Sequence, residues 1–281
     1  MATKTHSPAD SDRIAFVGGG NMARSLIGGL ARAGADPADI AVAEPNAALR
    51  EALHADFGVA THSQAADAAH AADAIVLAVK PQVMKDVCAS LREVALRRRP
   101  LFVSIAAGIR IAQIDAWLGG GHAIVRVMPN TPALIGAGAS GLCASAGATA
   151  AQRATAERLL GSVGVSAWIE DESLMDTVTA LSGSGPAYFF LLVEALEDAA
   201  VAQGLPRDAA RVLATQTCLG AGRMLSESGE PAEVLRQRVT SPNGTTQAAL
   251  ESFEADGLRA VVARAIAAAT LRGVEMSAQF G

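Results

Sequence analysis

Several short stretches of this chain carry residues whose type and spacing can do chemistry. The first is Gly18-Gly19-Gly20-Asn21-Met22-Ala23, a G-x-G-x-x-A string. It follows the apolar run Arg13-Ile14-Ala15-Phe16-Val17 and precedes the helix-forming run Ser25 to Ala33. Strand, tight turn and helix in that order make a glycine-rich string a dinucleotide site. Gly18 permits the sharp turn. Gly20 lets a diphosphate approach the backbone with no Cβ in the way, and Ala23 keeps helix close to sheet. The diphosphate then rests on free N–H groups at a helix N-terminus, where the macrodipole favours negative charge.

The second stretch is Ala43-Glu44-Pro45-Asn46, at the end of the next strand-like run. An acidic residue about 20 positions past the glycines hydrogen-bonds ribose hydroxyls and favours NAD. Asn46 and Arg50 follow closely, and either can bind a 2′-phosphate. Glu44 also reads as a plain helix-start carboxylate, so these residues leave the cofactor open. Ala78-Val79-Lys80-Pro81 closes another strand, and a lysine there lies by the ligand crevice. Ser104-Ile105-Ala106-Ala107-Gly108 ends the following strand with small residues that leave room for a flat cofactor.

Three later loops are polar and conformationally restricted. In Val127-Met128-Pro129-Asn130-Thr131-Pro132 two prolines bracket an Asn and a Thr, which fixes the direction of their polar groups. Leu181-Ser182-Gly183-Ser184-Gly185-Pro186-Ala187-Tyr188 opens straight into a helical run. Val239-Thr240-Ser241-Pro242-Asn243-Gly244-Thr245-Thr246 does the same. A helix starting near Thr245 offers N–H groups and hydroxyls, a nest for a carboxylate. Helix capping by Ser and Thr explains the same residues without a ligand.

These loops need elements to hold them. Strand-like runs are Arg13–Val17, Ile40–Ala43, Ala74–Ala78, Leu101–Ser104, Ala123–Val127, Ser140–Cys143 and Ser166–Trp168. Helical runs alternate with most of them: Asn21–Ala33, Asn46–Asp56, Gln64–Ala69, Gln82–Leu96, Ile111–Leu118 and Ala150–Ser162. That alternation predicts an α/β Rossmann-type domain, a parallel doubly wound sheet, over residues 13–169. From about residue 170 to 281 alanine- and leucine-rich helical runs take over: Glu172–Ala180, Pro186–Gln203, Arg207–Ser226, Pro231–Arg238, Thr245–Glu254 and Leu258–Gln279. Several are apolar on more than one face, which calls for a partner chain to cover them.

Composition narrows the function further. Hydrophobic residues make up 51% and charged residues 18% of the 281, again pointing to subunit contacts. The formal net charge is −5, and no basic block exceeds Arg97-Arg98-Arg99, so no nucleic-acid partner is expected. That triplet reads as the solvated end of a helix. Cys88, Cys143 and Cys218 lie far apart, with neither metal spacing nor a disulfide framework. No metal is expected, and a reducing cytoplasm is. Residues 1–12 are polar, unlike a signal peptide, and read as a frayed tail. No apolar run spans a bilayer, since even Ala187 to Leu196 is broken by Glu194, so no membrane partner is expected.

The glycine turn with Asn21-Met22, Ala78-Val79-Lys80-Pro81, Met128-Pro129-Asn130-Thr131-Pro132, Ser182-Gly183-Ser184-Gly185-Pro186-Ala187-Tyr188 and Thr240-Ser241-Pro242…Gly244-Thr245-Thr246 together resemble the pyrroline-5-carboxylate reductase family. The resemblance runs from about Arg13 to Gly273. Each motif is modest alone, but their order is specific.

The resemblance implies reduction of 1-pyrroline-5-carboxylate to L-proline, the last step of proline synthesis, with NADPH as cofactor and NADH as the alternative. Gly18, Gly19, Gly20, Asn21, Met22 and Ala23 would hold the diphosphate. Ala78, Val79, Lys80 and Pro81, with Ala106 and Ala107, would line the nicotinamide side. Glu44, Asn46 and Arg238 would lie by the rest of the nucleotide. Met128 and Asn130 would face cofactor and substrate. Gly244 and Thr245 would give backbone N–H groups to the substrate carboxylate, and the Thr246 hydroxyl would reach the ring nitrogen, as catalytic residue. The family's C-terminal helical domains interlock between two subunits, so each site draws on both chains, and dimers commonly assemble into decamers.

Three positions depart from the family pattern. Asn243 stands where the family usually has Gly, and Asn tolerates left-handed backbone. Gln237 stands where an acidic residue is frequent, and Arg238 where Asn or Gln is. Arg238 and Glu44 both bear on cofactor preference.

The chemistry suits these residues. A cyclic imine is already partly protonated in neutral water, so hydride transfer needs alignment and shielding more than a strong acid. The histidines, His6, His54, His62, His70 and His122, all precede the helical half and read as surface residues of the first domain. A hydroxyl such as Thr246 must then pass on any proton. A β-hydroxyacid dehydrogenase would share the layout but resembles its relatives in needing a lysine in the helical half. This chain has no lysine after Lys85. A dinucleotide-sensing dimer without activity would not need the polar, glycine-punctuated loops at two helix starts.

Overall fold

The computed structural model describes residues 12–279. The expected tail lies outside these residues apart from Asp12, whose carboxylate accepts hydrogen bonds from Thr155 (2.7 Å) and Arg158. The chain forms two compact units. One runs to Gly183 and takes back the residues from Ala269 onward; the other is Ser184–Ala268. The expected boundary at 169/170 therefore lies ahead of the observed one. The residues between pack on the sheet of the first unit rather than with the helices that follow.

The first unit alternates strands and helices. They run β1 (Ile14–Val17), α1 (Asn21–Arg32), β2 (Ile40–Ala43), α2 (Ala47–Phe57), β3 (Ala60–His62), α3 (Ala65–Ala69), β4 (Ala74–Leu77), α4 (Met84–Arg98), β5 (Leu101–Ser104), α5 (Ile111–Leu118), β6 (Ile124–Met128), β7 (Gly138–Ala144), α6 (Ala150–Gly161), β8 (Gly164–Trp168) and α7 (Met175–Val178). One sheet results, in the order β3-β2-β1-β4-β5-β6-β7-β8. Its central strands are buried on both faces, as in doubly wound sheets. One face packs Phe16, Val76 and Val103 against Leu26, Ile27 and Leu159. The other packs Ile75, Leu77 and Phe102 against Leu91, Cys88 and Ile114.

Three expectations need correction here. The sheet is not wholly parallel, because β7 runs antiparallel to β6. Only a short 3-10 turn, Thr131–Ile135, lies between them, and a parallel return needs a crossover of a dozen or more residues. β7 and β8 are parallel again because α6 supplies that crossover. Strand β3 was not visible in the sequence, since its three residues are half-exposed and gain strand form only by pairing with β2. His122 is not a surface residue: it is 6% exposed and meets the Phe102 ring edge-on, with centroids 5.8 Å apart.

The expected helix Glu172–Ala180 is divided. A 3-10 turn (Glu172–Leu174) leads into α7, and a π-turn (Thr179–Gly183) follows. The Thr179 and Ser182 hydroxyls donate to the carbonyls of Met175 (2.9 Å) and Val178 (3.0 Å). Such local bonds compete with regular helix, and π-turns gather at functional sites. Arg97-Arg98-Arg99 does end a helix: α4 stops at Arg98, and Arg99 takes left-handed backbone at φ 48°.

The second unit holds α8 (Gly185–Ala202), α9 (Arg207–Glu227), α10 (Ala232–Arg238), α11 (Thr245–Ala255) and the start of α12 (Leu258–Gln279). Gly204, at φ 98°, turns the chain between α8 and α9, and Pro206 precedes the first turn of α9. Arg207 bridges Glu197 (3.1 Å) and Asp198 (2.7 Å) across that turn. These helices bury little of their own apolar surface. Phe189, Phe190, Leu191 and Val212 are each at least 60% exposed. A contiguous apolar surface of this kind marks an interaction site. No helix among the described residues is long and apolar enough to cross a membrane.

Candidate active site

The strand order reverses direction between β1 and β4, and ligands of such sheets bind outside the strand carboxyl ends at that point. The glycine turn sits there. Gly18 adopts φ 105°, and its N–H donates to the Ala43 carbonyl at 2.8 Å. A Cβ at Gly18 would press on the Ala78 carbonyl oxygen, so this turn accepts only glycine. At Gly20 a Cβ would meet nothing within 4 Å, so the space before it is open. Gly20 is the N-cap of α1, and no side chain caps that helix. The first intrahelical bond runs from the Arg24 N–H to the Gly20 carbonyl at 3.0 Å. The amides of Asn21, Met22 and Ala23 thus precede the ladder at an open helix end. That suits a dinucleotide diphosphate.

The other expected cofactor residues fall on neighbouring loops. Glu44 directly follows β2, and Asn46 caps α2 through Oδ1, accepting from the Ala48 (3.0 Å) and Leu49 (3.3 Å) amides. Ala78 and Val79 contact the glycine turn from the end of β4. Lys80 is exposed and starts the 3-10 turn that Pro81 opens. Ala106 is buried and Ala107 half-buried just after β5. The fold therefore brings the expected residues 18–23, 44, 46, 78–81 and 106–107 to one end of one sheet.

Met128 ends β6, where its side chain lies against the backbone of Gly183, so the π-turn packs on it. Asn130 is 8% exposed, and both ends of its amide are engaged. Nδ2 donates to the Ser182 carbonyl (3.0 Å), and Oδ1 accepts from the Ala139 N–H (2.9 Å). Its side chain thus ties the loop to the π-turn and to β7.

Sequence reading missed the ion cluster beneath this loop. Arg126, 3% exposed, reaches Glu172 (3.2 Å) and Asp176 (3.4 Å). Glu172 also accepts the Ile111 N–H (2.8 Å), and Ser277 donates to Asp176 (3.4 Å). A buried charge persists only when paired and hydrogen-bonded, as here. An arginine inside the apolar run of β6 was the available signal. Burial first, then Glu172, pushes the nearby Cys143 thiol upward, against the pull of Arg126.

Gly244, Thr245, Thr246 and Arg238 belong to the second unit. Asn243 takes φ 59°, the left-handed backbone expected of it, and its N–H donates to Gln247 Oε1 at 2.8 Å. Gly244 is the N-cap of α11, again without a side-chain cap. A Cβ there would collide with the Ser241 hydroxyl. The first intrahelical bond is Ala248 N–H to the Gly244 carbonyl at 3.2 Å, so the Thr245 and Thr246 amides precede the ladder. Arg238, in the last turn of α10, pairs with Glu230 at 2.7 Å.

A family model for pyrroline-5-carboxylate reductase dimerisation matches residues 172–276. A model described as NADP oxidoreductase coenzyme F420-dependent matches residues 13–108. The pyrroline-5-carboxylate reductase of Pseudomonas aeruginosa is 52% identical over 270 residues, covering 96% of this chain and 98% of the relative. The pyrroline-5-carboxylate reductase of Pisum sativum is 40% identical over 269 residues, covering 96% and 97%. Among solved structures, a pyrroline-5-carboxylate reductase from Coxiella burnetii superposes with a TM-score of 0.93 at 40% identity, covering 95% and 99%. The Plasmodium falciparum pyrroline carboxylate reductase, solved with NADP bound, gives 0.81 at 30% identity, covering 95% and 99%. With a dinucleotide cradle, a helical dimerisation segment and relatives this similar over nearly its whole length, the chain belongs to the pyrroline-5-carboxylate reductase family.

Proposed function

We infer that this chain is an NAD(P)H-dependent reductase that converts 1-pyrroline-5-carboxylate to L-proline. The carrying observation is the pair of helix N-termini without side-chain caps, at α1 and α11; Gly20 leaves the first open, and a Cβ at Gly244, which leads the second, would crowd Ser241. One suits a diphosphate and the other a carboxylate. When bound, NADPH supplies the hydride. Residues 18–23 hold its diphosphate, and Lys80, Pro81, Ala106 and Ala107 line the nicotinamide side. The amides of Gly244 and Thr245 bind the substrate carboxylate and orient the ring. Met128 and the loop through Asn130 shield the reacting carbon from water. The Thr246 hydroxyl would pass a proton to the ring nitrogen, directly or through water. Holding the two reactants in line supplies most of the acceleration.

The exposed apolar faces of α8, α9 and α12 support a homodimer in which each site draws on both chains. Further assembly to a decamer fits the same family, and a biosynthetic reductase with three scattered free cysteines fits the cytoplasm. Purified protein given the imine and either reduced nicotinamide should consume the cofactor and release proline. No consumption with NADPH or NADH would reject the reading. Diluted to monomer, as followed by sedimentation, the protein should lose activity, and an active monomer would reject the shared site.

A further inference from the structure

Glu44 and Arg50 share the loop where a bound dinucleotide carries its adenosine ribose, and the structure gives them unequal freedom. Both oxygens of the Glu44 carboxylate accept backbone amides. Oε2 takes the Gly19 N–H and Oε1 the Asn46 N–H, each at 2.9 Å. The carboxylate thereby joins the middle of the glycine turn to the first residues after β2. Its β- and γ-carbons also lie near where a Gly19 side chain would be. Each oxygen of this carboxylate already spends one of its acceptor sites on the chain's own backbone, which fixes its direction before any ribose hydroxyl is offered.

Arg50 is placed differently. One nitrogen, Nη1, donates to the carbonyls of Glu44 (2.7 Å) and Pro45 (2.8 Å). These bonds fix the guanidinium on the loop at the carboxyl end of β2. Among the described residues no carboxylate lies within ion-pair distance of Arg50, while Arg24 on α1 pairs with Asp56 and Arg158 on α6 pairs with Asp12. A guanidinium held by one nitrogen keeps a planar fork for a phosphate. An arginine at this place is how such folds accommodate a 2′-phosphate.

We propose that Arg50 selects dinucleotides carrying a 2′-phosphate, and that Glu44 braces the glycine turn instead of binding ribose. The proposal rests on the dinucleotide reading of the same cradle and adds the residue that sets its preference. Arg238, already paired with Glu230, has no part in it.

Titration calorimetry of the full-length protein with NADP+ and with NAD+ tests both halves without turnover. Arg50→Met should weaken NADP+ binding about tenfold or more and NAD+ binding less than about threefold. Arg50→Lys should keep part of the NADP+ preference, since it keeps the charge and loses the fork. Glu44→Gln should weaken both nucleotides alike. Equal losses for both nucleotides in Arg50→Met would overturn the selectivity. A Glu44→Gln protein that loses NAD+ but gains NADP+ would return Glu44 to the ribose and overturn the brace. Wild-type protein that binds neither nucleotide would overturn the cradle itself, a result distinct from both.

Discussion

The Asn130 amide donates to the carbonyl of Ser182, 3.0 Å away and 52 positions later in the chain. With the Ala139 N–H on its other end, this side chain joins β6, β7 and the π-turn at one point. Asn130→Ala removes the side-chain partner of a part-buried carbonyl and a part-buried N–H, at about 0.5–1.5 kcal/mol for each bond lost. The denaturant midpoint should fall accordingly. A variant with the wild-type midpoint would show that the latch carries no stability.

Thr246 stands at the open end of α11. Thr246→Ala should slow turnover by about tenfold or more, and Thr246→Ser should restore most of it, because the hydroxyl is the working group. Steady-state kinetics with the imine varied will separate kcat from KM. Unchanged kcat in the alanine variant would remove Thr246 from proton transfer.

Gly244 has an ordinary φ of −85°, so its constraint is space. An added Cβ meets the Ser241 hydroxyl and lies 3.1 Å from the Ser241 carbonyl oxygen. Gly244→Ala should therefore push the amides of α11 out of line and raise KM for the imine. Calorimetric affinity for the dinucleotide should stay within about twofold, because its diphosphate is assigned to residues 18–23 and this loop to the substrate carboxylate. A loss of dinucleotide affinity with normal KM would contradict the assignment of this loop to substrate.

Cys88 lies at the centre of one core face, and burial pushes its thiol up from the ordinary 9.0 to about 12. The folded chain therefore keeps a proton that the unfolded chain releases. Its contribution to stability is complete below pH 9.0 and falls away as pH rises towards about 12. Across that window one proton adds a slope of about 1.4 kcal/mol per pH unit. Cys88→Ala should be less stable at neutral pH through the cavity it opens. Its stability should also fall less steeply with pH than that of wild type. Parallel urea midpoints for the two proteins from pH 9 to 11 would refute the shift.

Apart from β3 and the divided stretch 172–183, the order of elements is readable from residue types in series, as are the glycine turn and the helix starts at α1 and α11. Such features are local: a run of β-branched residues, a glycine turn and a helix-forming run depend on neighbours a few positions away. The bounds of β2, β5, α5 and α12 follow the sequence pattern for the same reason. The direction of β7, the pairing of β3 and the place where the units part were settled only by contacts distant in sequence. So were the specific duties of single side chains. Nothing in the string of letters tells that Asn130 reaches Ser182, that Arg126 is buried against Glu172 and Asp176, or that Glu44 turns back onto Gly19. A polar side chain takes the partner that the folded backbone brings within reach, and that partner exists only once the sheet has formed.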